Sequence, residues 1–327
     1  MAVNADGLRF PHARVFLPRT KLAYIHLRNL LSDAKRDRAA RVHGYVAIWM
    51  PEELVLLFMQ KGELVNATST INGRTYEMLP IAEALSRVPL EPELGAVCFH
   101  EAEDEQLACM YASQSSPPEA WPDELAPQDP SSLFPFLMSN MFDGTIEIVV
   151  DGHVNYLVVR DGSVQRAYLA THSKDLIVER VARLFAPEGR KGALHVRRWP
   201  VPAPLPVQAA PALIQAYRDL VAGVIACLSE HGSDSAPALA EHARTELAKS
   251  HVALASFSTN GRAARDPVAD SASLTAGVAA WISEILWTVI GHDAPPPEKV
   301  LSDLTRERRH MFQSAGLFEQ LPWRIEW

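Results

Sequence analysis

The chain has 327 residues, of which 48% are hydrophobic, and a formal net charge of −8. This length is typical of about two domains, and the composition is sufficient to bury a sizeable core. The acidic balance argues against a dedicated nucleic-acid-binding protein, which usually carries a basic stripe. Cys98, Cys109 and Cys227 have no metal-like spacing and suit a reducing compartment. Because the N-terminus lacks a basic start and a long apolar run, we expect a cytoplasmic protein without a secretory signal.

Two stretches of the chain are similar to each other, which is the sequence signature of an internal repeat. Residues 44–67 align with residues 144–167 without a gap. Five positions are identical in the two stretches: Gly44 and Gly144, Ile48 and Ile148, Leu57 and Leu157, Gly62 and Gly162, and Ala67 and Ala167. Positions between these identities keep their apolar character, as Val46 and Ile146 do. We therefore expect two copies of one structural unit.

Turn residues at matching positions predict a meander of three short antiparallel strands in each copy. Asp-Gly separates the apolar runs of the second copy twice, and this pair favours tight hairpins because both central residues need positive φ. The first copy has Lys61-Gly62 at its second turn but Pro51-Glu52 at its first. A structural role in turns is predicted for five glycines: Gly44, Gly62, Gly144, Gly152 and Gly162.

Helices are predicted on both sides of each meander. Four stretches carry apolar residues at helical spacing: 22–38 and 75–88 around the first meander, and 131–141 and 174–186 around the second. In the last of these, Leu176 and Ile177 belong to the predicted apolar stripe together with Val181. Closing strands are expected at 96–99 and 193–196, each preceded by a glycine.

The motifs of the first copy resemble those of the PATAN-type module, a small bacterial signalling domain often found beside response-regulator receivers. Residues 61–67 read Lys-Gly-Glu-Leu-Val-Asn-Ala and residues 95–99 read Gly-Ala-Val-Cys-Phe, and both segments fit that module. Residues 161–167 fit it less closely because Gln165 replaces the second apolar residue. The resemblance covers residues 20–113 and 130–198. It implies protein interaction within a signalling system and brings no catalytic residues to carry over.

Proline-rich segments indicate where the parts of the chain are joined. Proline removes a backbone donor and disfavours helix in the residue before it, so these segments are predicted to be linkers. A proline-rich run is also the type of ligand that SH3 domains bind. The expected order is a first α+β module at 13–113, a linker at 114–130, a second α+β module at 131–199, a proline-rich linker at 200–211 and a helical bundle with an apolar tail at 212–327.

The last part of the chain is rich in alanine and predicts helices. Apolar stripes at spacings of three and four residues run through 213–228 and 274–289, and further helices are expected at 237–250 and 298–312. The stretch 274–290 is apolar enough to be a candidate membrane span. Because Glu284 lies in its middle, a buried bundle helix is favoured and no membrane span is expected.

Several polar residues of the chain are of the types that form metal, phosphate or nucleophile sites. The densest collection comprises His242, Glu246, His251, Asp266, Asp270, Glu307 and His310. A Glu-x-x-His pair binds a metal when a second such pair faces it, and only one is present, so solvent-facing polar pairs are favoured. Asn260-Gly261 stands alone and predicts a turn rather than a phosphate loop. Cys98 lies in an apolar strand as a small buried hydrophobe, without a histidine placed to activate it. We therefore predict no catalytic residue, no cofactor and no metal.

The C-terminal tail carries the clearest candidate interaction residues. Phe318, Trp323, Ile325 and Trp327 lie within eleven residues, too apolar a set for a free disordered end. Residues 323–327 alternate apolar and charged, which predicts a strand that docks within the chain or across a homodimer. The alternative is a recognition segment for a second protein. Arg308 and Arg309 are further interaction candidates, although cations are also favourable in the second half of a helix.

The sequence thus predicts an α+β protein with two repeated β-meander modules and a C-terminal helical bundle. The expected function is that of a non-catalytic bacterial signalling or regulatory adaptor that binds another protein, such as a two-component signalling protein. One alternative is a metal-dependent enzyme with its site in the bundle at His242, Glu307 and His310. A second alternative is a helical chaperone or a nucleic-acid accessory protein.

Overall fold

The computed structural model describes residues 7–36, 42–71, 75–89, 93–188, 190–231, 235–257, 265–289 and 295–326. The fold is α+β, with two antiparallel sheets. The chain divides into two compact units: Met1–Leu79 with Ser86–Pro206, and Pro80–Leu85 with Val207–Trp327. Both sheets belong to the first unit. The domain boundaries expected from the sequence stay predictions.

The first sheet has six strands in the order β1-β6-β2-β3-β4-β5. Their bounds are β1 Arg14–Lys21, β2 Gly44–Trp49, β3 Glu53–Gln60, β4 Glu63–Ile71, β5 Thr75–Leu79 and β6 Ala96–Glu101. The closing strand β6 pairs with β2, so that Ala47 faces both Leu56 on β3 and Cys98 on β6. Strand β2 is buried along its whole length, which explains its continuous apolar run.

The second sheet has four strands in the order β10-β7-β8-β9. Their bounds are β7 Gly144–Val150, β8 His153–Arg160, β9 Ser163–Tyr168 and β10 His195–Trp199. The closing strand again pairs with the first strand of the meander, and Glu147 faces both Tyr156 and Arg197. The pairing order β10-β7-β8-β9 corresponds to β6-β2-β3-β4 in the first sheet.

Turns and irregularities fall at matching positions in the two sheets. Lys61 and Gly62 both have positive φ, of 53° and 80°, and Asp161 and Gly162 have 48° and 71°. Each hairpin has a register shift on the strand just before its turn, between Phe58 and Met59 in one sheet and between Val158 and Val159 in the other. Positive φ at both central residues is the requirement of a two-residue hairpin, which the glycine satisfies without strain. The turn role predicted for Gly44 and Gly144 is wrong, because these residues begin strands β2 and β7.

Helix α3 (Asp104–Ser115) is an element that both sheets share. It contacts β2, β4 and β5 of the first sheet. Its Leu107 belongs to a core that also contains Tyr45 and Leu56 of the first sheet and Val149 and Tyr156 of the second. The opposite face of the second sheet is covered by α4 (Pro130–Ser139) and α5 (Ile177–Phe185).

The remaining helices are two short ones before α3 and a group of seven, α6 to α12, that surrounds a second core. Their bounds are α1 Leu27–Arg36 and α2 Ile81–Arg87 before α3, then α6 Pro211–Glu230, α7 Ala236–Leu247, α8 Ala253–Ser256, α9 Ser271–Val289, α10 Pro297–Thr305, α11 Arg309–Ser314 and α12 Leu317–Gln320. Helices α6 to α12 contribute side chains to one hydrophobic cluster. Among the described residues, α6 alone is long and apolar enough to cross a membrane, but 44% of its apolar window is buried in the structure. A core helix passes the same test, so this is weak evidence for a membrane span.

Several predicted elements need correction near the first sheet. The predicted helix at 75–88 is wrong in its first third, because Thr75–Leu79 forms β5 and α2 begins at Ile81. Pro80 restricts the residue before it to extended backbone, which ends the strand and starts the helix. The helix predicted from residue 22 begins at Leu27, and residues 37–41 lie outside the described residues. Strand β1 was not predicted, since its bulged pairing and Pro18 blur the alternation.

The second half of the chain shows smaller differences. Strand β10 begins at His195, two residues later than predicted. The helix expected at 298–312 is α10 followed by a 3₁₀ turn, Arg306–Arg308, and α11. The tail forms α12 and then irregular backbone, so the predicted strand is wrong. Pro322 lacks the backbone donor that a paired strand needs at that position.

Candidate functional site

The polar residues predicted as weak metal candidates are mostly engaged with other groups. His251, Asp266 and Asp270 line one cavity of about 710 Å³ in the second unit. Asp266 forms an ion pair with Arg218 at 2.6 Å. Asp270 accepts from the backbone N–H of Ser273 at 2.9 Å, at the start of α9. Across the described part of the chain, no group of three or more His, Cys, Asp or Glu side chains is placed to hold a metal ion.

The other candidates of the helical part are separated in the structure. Glu246 pairs with Lys249 at 2.6 Å, one turn along α7. Glu307 lies in the 3₁₀ turn and His310 in α11, and both side chains are exposed. Asn260 and Gly261 lie outside the described residues.

The predicted interaction residues of the tail contact the helical core. Trp323 is buried, and its ring centre lies 5.4 Å from that of Trp287. Phe318 and Ile325 are partly buried against the same cluster. The tail therefore docks within the chain without forming a strand, while Trp327 lies outside the described residues.

The two basic interaction candidates lie just before α11 and at its start. Arg308 forms an ion pair with Asp219 at 2.5 Å, and Arg309 is exposed. Their role toward a partner stays a prediction.

Three histidines from separate parts of the first unit lie in ring contact. His12 belongs to the N-terminal segment, His100 to β6 and His172 to the loop after β9. The ring centre of His12 lies 4.3 Å from that of His100 and 4.5 Å from that of His172. The sequence analysis did not predict this cluster, because its three members lie far apart in the chain.

Tyr45 contacts His100 of this cluster. Oη of Tyr45 lies 2.9 Å from Nδ1 of His100 and 3.0 Å from the carbonyl oxygen of Pro11. The Pro11 carbonyl also accepts from Nε2 of Gln106 at 2.6 Å. Burial, together with the neighbouring His12 and His172, lowers the pKa of His100 to about 4. His100 is therefore neutral at physiological pH.

Cys98 lies beside this histidine without being activated by it. Its Sγ is 3.8 Å from Nδ1 of His100. The sequence prediction of a buried cysteine is confirmed, and the nearby histidine is one that the sequence analysis did not place there. Residues two apart on a strand share a face, and this signal could have paired Cys98 with His100. Burial raises the pKa of the thiol to about 12, so the reactive thiolate is not formed at neutral pH.

An apolar ridge begins α5, and we define it as Leu176, Ile177 and Val178. Their side chains are 71%, 52% and 79% exposed. The sequence placed Leu176 and Ile177 on the buried stripe, which is wrong; of that stripe, Val181 and Phe185 are buried. Helix α5 begins only at Ile177, so its first turn projects beyond the part of the helix that covers the sheet.

One segment, residues 169–178, joins β9 to α5. It contains one residue of the histidine cluster and all three residues of the apolar ridge. His172 lies in it four residues before Leu176. At the corresponding place the first sheet has β5, which pairs with β4 over Thr75–Leu79. The segment that leaves the second sheet is thus free of strand pairing where the first sheet is extended by a strand. We take residues 169–178 as the candidate functional site.

Comparisons of the chain with protein-family models, with curated proteins and with solved structures find no match. Its function is therefore argued from its own residues.

Proposed function

We propose that this chain is a non-catalytic regulatory protein that acts in the cytoplasm by binding another protein through the apolar ridge. The observation that carries the proposal is the exposure of three consecutive aliphatic side chains, Leu176, Ile177 and Val178. Single exposed apolar residues are normal on a protein surface, whereas contiguous ones mark interaction sites. Burial of these side chains by a partner would stabilise a complex by roughly 25 cal/mol per Å² of apolar area, before the cost of association.

The proposal includes an architecture of two copies of one module followed by a helical bundle. The matching pairing order, the matching turns at Gly62 and Gly162 and the matching register shifts support the repeat. The shared cluster of α6 to α12 supports the bundle. On this proposal the modules are PATAN-like, and a two-component signalling protein is the expected class of partner.

The chemistry of the histidine cluster supports a non-catalytic role. A nucleophilic cysteine needs a lowered pKa, whereas burial raises that of Cys98 to about 12. A general base is most effective with a pKa near the working pH, whereas His100 has one of about 4. Both groups are thus poorly suited to proton transfer or nucleophilic attack at neutral pH.

The test is to capture partners from the cells of origin with the tagged chain, purify the partner and measure its Kd. The double variant Leu176→Asp/Val178→Asp should raise Kd at least ~10-fold, a loss of about 1.4 kcal/mol, because it places charge in the proposed interface. Val252→Asp is the matched control, since Val252 is 78% exposed and belongs to the other compact unit. Its Kd should equal that of the unmodified chain.

Equal Kd values for both variants would remove the apolar ridge from the interface. Stoichiometric metal lost on His310→Ala would favour the metal-dependent enzyme instead. Salt-sensitive retention on heparin would favour a nucleic-acid accessory protein.

A further inference from the structure

A cavity of about 300 Å³ lies beside α5, within the first unit. This volume is at the lower end of the range for small-molecule sites. Its polar lining includes three arginines and one histidine, contributed by β8, α5 and the loop after α5: Arg180, Arg183, Arg190 and His153. The hydroxyl residues Thr171 and Ser173, from the loop before α5, complete one side.

Some of the lining charges already have partners inside the protein. Nη1 of Arg183 donates to Oδ2 of Asp175 at 2.6 Å. Asp151 also lines the cavity, and its Oδ1 accepts from the backbone N–H groups of Lys191 and Gly192 at 3.0 and 2.7 Å. Arg183 and Asp151 are thus held in place by groups of the chain itself.

Arg180 is held in place but has an unused donor. Its Nη2 donates to the carbonyl oxygen of Thr171. Its Nε is enclosed and makes no hydrogen bond to any described residue. No carboxylate of the described chain lies within ion-pair distance of its guanidinium. Arg180 lines the cavity, and no ion pair to a described carboxylate uses its charge, so its guanidinium keeps donor capacity there.

Arg190 is the second available cation. It lines the same cavity, and its guanidinium has no ion pair or side-chain hydrogen bond within the described residues. Glu188 also lines the cavity and offsets part of this charge. Two guanidinium groups at one cavity match the planar, multidentate acceptors of carboxylate and phosphate groups.

We propose that this cavity binds a small molecule bearing a carboxylate or phosphate group, with its oxygens accepting from Arg180 and Arg190. The hydroxyl group of Thr171 is placed to contact the remaining part of such a ligand, whereas that of Ser173 already donates to Oδ2 of Asp175. The proposal does not rest on the apolar ridge or on a protein partner, and the two can fail separately.

The test is binding of inorganic phosphate and of succinate to the full chain, followed by isothermal titration and by the thermal midpoint at constant ionic strength. Sodium chloride at matched ionic strength is the control for screening. We expect saturable binding of at least one anion, with a rise in midpoint that chloride does not reproduce. Preference for phosphate over succinate, or the reverse, distinguishes the two sources of the oxyanion.

Two variants locate the binding. Arg190→Gln should weaken binding of the preferred anion at least ~10-fold without changing the fold, because its guanidinium bonds to no other group among the residues that the structure describes. Arg180→Gln should weaken it as well, but also removes the bond to Thr171. Lys249→Gln, on a surface ion pair of the helical part, is the matched loss of one positive charge and should leave binding unchanged. Equal weakening by Arg190→Gln and Lys249→Gln, or no saturable binding of either anion, would overturn the proposal.

Discussion

Four strands of each sheet pair in the same order, but one row of facing side chains is apolar in the first sheet and charged in the second. In the first sheet, Ala47 faces Leu56 and Cys98 across its neighbouring strands. At the matching place in the second sheet, Glu147 faces Tyr156 and Arg197. An apolar row in one sheet thus corresponds to a buried charged row in the other. Strand pairing is set by backbone hydrogen bonds and turns, so a row can change its chemistry without changing its register.

The buried charge of this row is compensated by an ion pair. Arg197 lies 2.6 Å from Oε1 of the fully buried Glu147. Oη of Tyr156 lies 3.4 Å from Oε2 of Glu147 and 2.9 Å from Oγ of Ser113 on α3. Burial raises the pKa of Glu147 above its usual range, against the opposing effect of Arg197. The stability of the charged row therefore depends on the groups that pair with Glu147, whereas the apolar row needs no such pairing.

The largest expected effect tests this dependence. Glu147→Ala removes the ion pair to Arg197, whose side chain is 28% exposed, and should cost about 3 kcal/mol in the free energy of unfolding, the lower end for a buried pair. Glu147→Ala/Arg197→Cys copies the first sheet and should recover at least half of that loss, because no unpaired charge is left. Chemical denaturation of the three proteins measures both values. A double variant as unstable as the single one would show that the two rows are not interchangeable.

The glycines that open the meanders offer a matched pair of changes. A Cβ at Gly44 would lie 2.0 Å from the carbonyl oxygen of His100, and one at Gly144 would lie 2.3 Å from that of Trp199. Each closing strand therefore passes too close for a side chain. Gly44→Ala and Gly144→Ala should each lower the free energy of unfolding by about 3 kcal/mol, since the backbone must shift.

The control for this pair is Gly7→Ala, because a Cβ at Gly7 meets nothing within 4 Å. It should leave stability nearly unchanged. A large loss for only one of Gly44→Ala and Gly144→Ala would contradict the equivalence of the two sheets.

A fall in pH should destabilise the first sheet through protonation of His100. Its pKa of about 4 lies below the unfolded value near 6.5, so the unfolded chain binds more protons between these values. Stability due to this group is therefore complete above about pH 6.5 and is lost as the pH falls toward 4, by roughly 1–2 kcal/mol after allowance for partial solvent access. His100→Gln should flatten this part of the stability profile. An unchanged acid slope in that variant would assign the effect to other groups.

The smallest expected effect concerns Tyr156. Tyr156→Phe removes one hydroxyl from the charged row and should cost about 1 kcal/mol, because Ser113 and Glu147 each lose a hydrogen-bond partner. Leu56→Met, at the matching apolar position, is a volume-conserving change and should cost less. Thermal denaturation resolves the difference, and a larger loss for Leu56→Met would reverse the expected ranking.

The sequence by itself determined the features that depend on neighbouring residues. Lys61-Gly62 and Asp161-Gly162 predict their turns because only a few residue types accept positive φ there. The α+β class and most of the strands follow from these turns and from the apolar runs between them. The same local reasoning should have found β5, since Pro80 excludes helix in the residue before it.

Tertiary structure alone decided the candidate site. Helical spacing placed Leu176 and Ile177 on the buried face, but a period gives the direction of a side chain and not whether anything covers it. His12, His100 and His172 meet because three distant segments converge, and the spare donor of Arg180 exists only where the fold encloses it. Burial and proximity depend on residues far apart in the chain, and a local pattern holds no information about them.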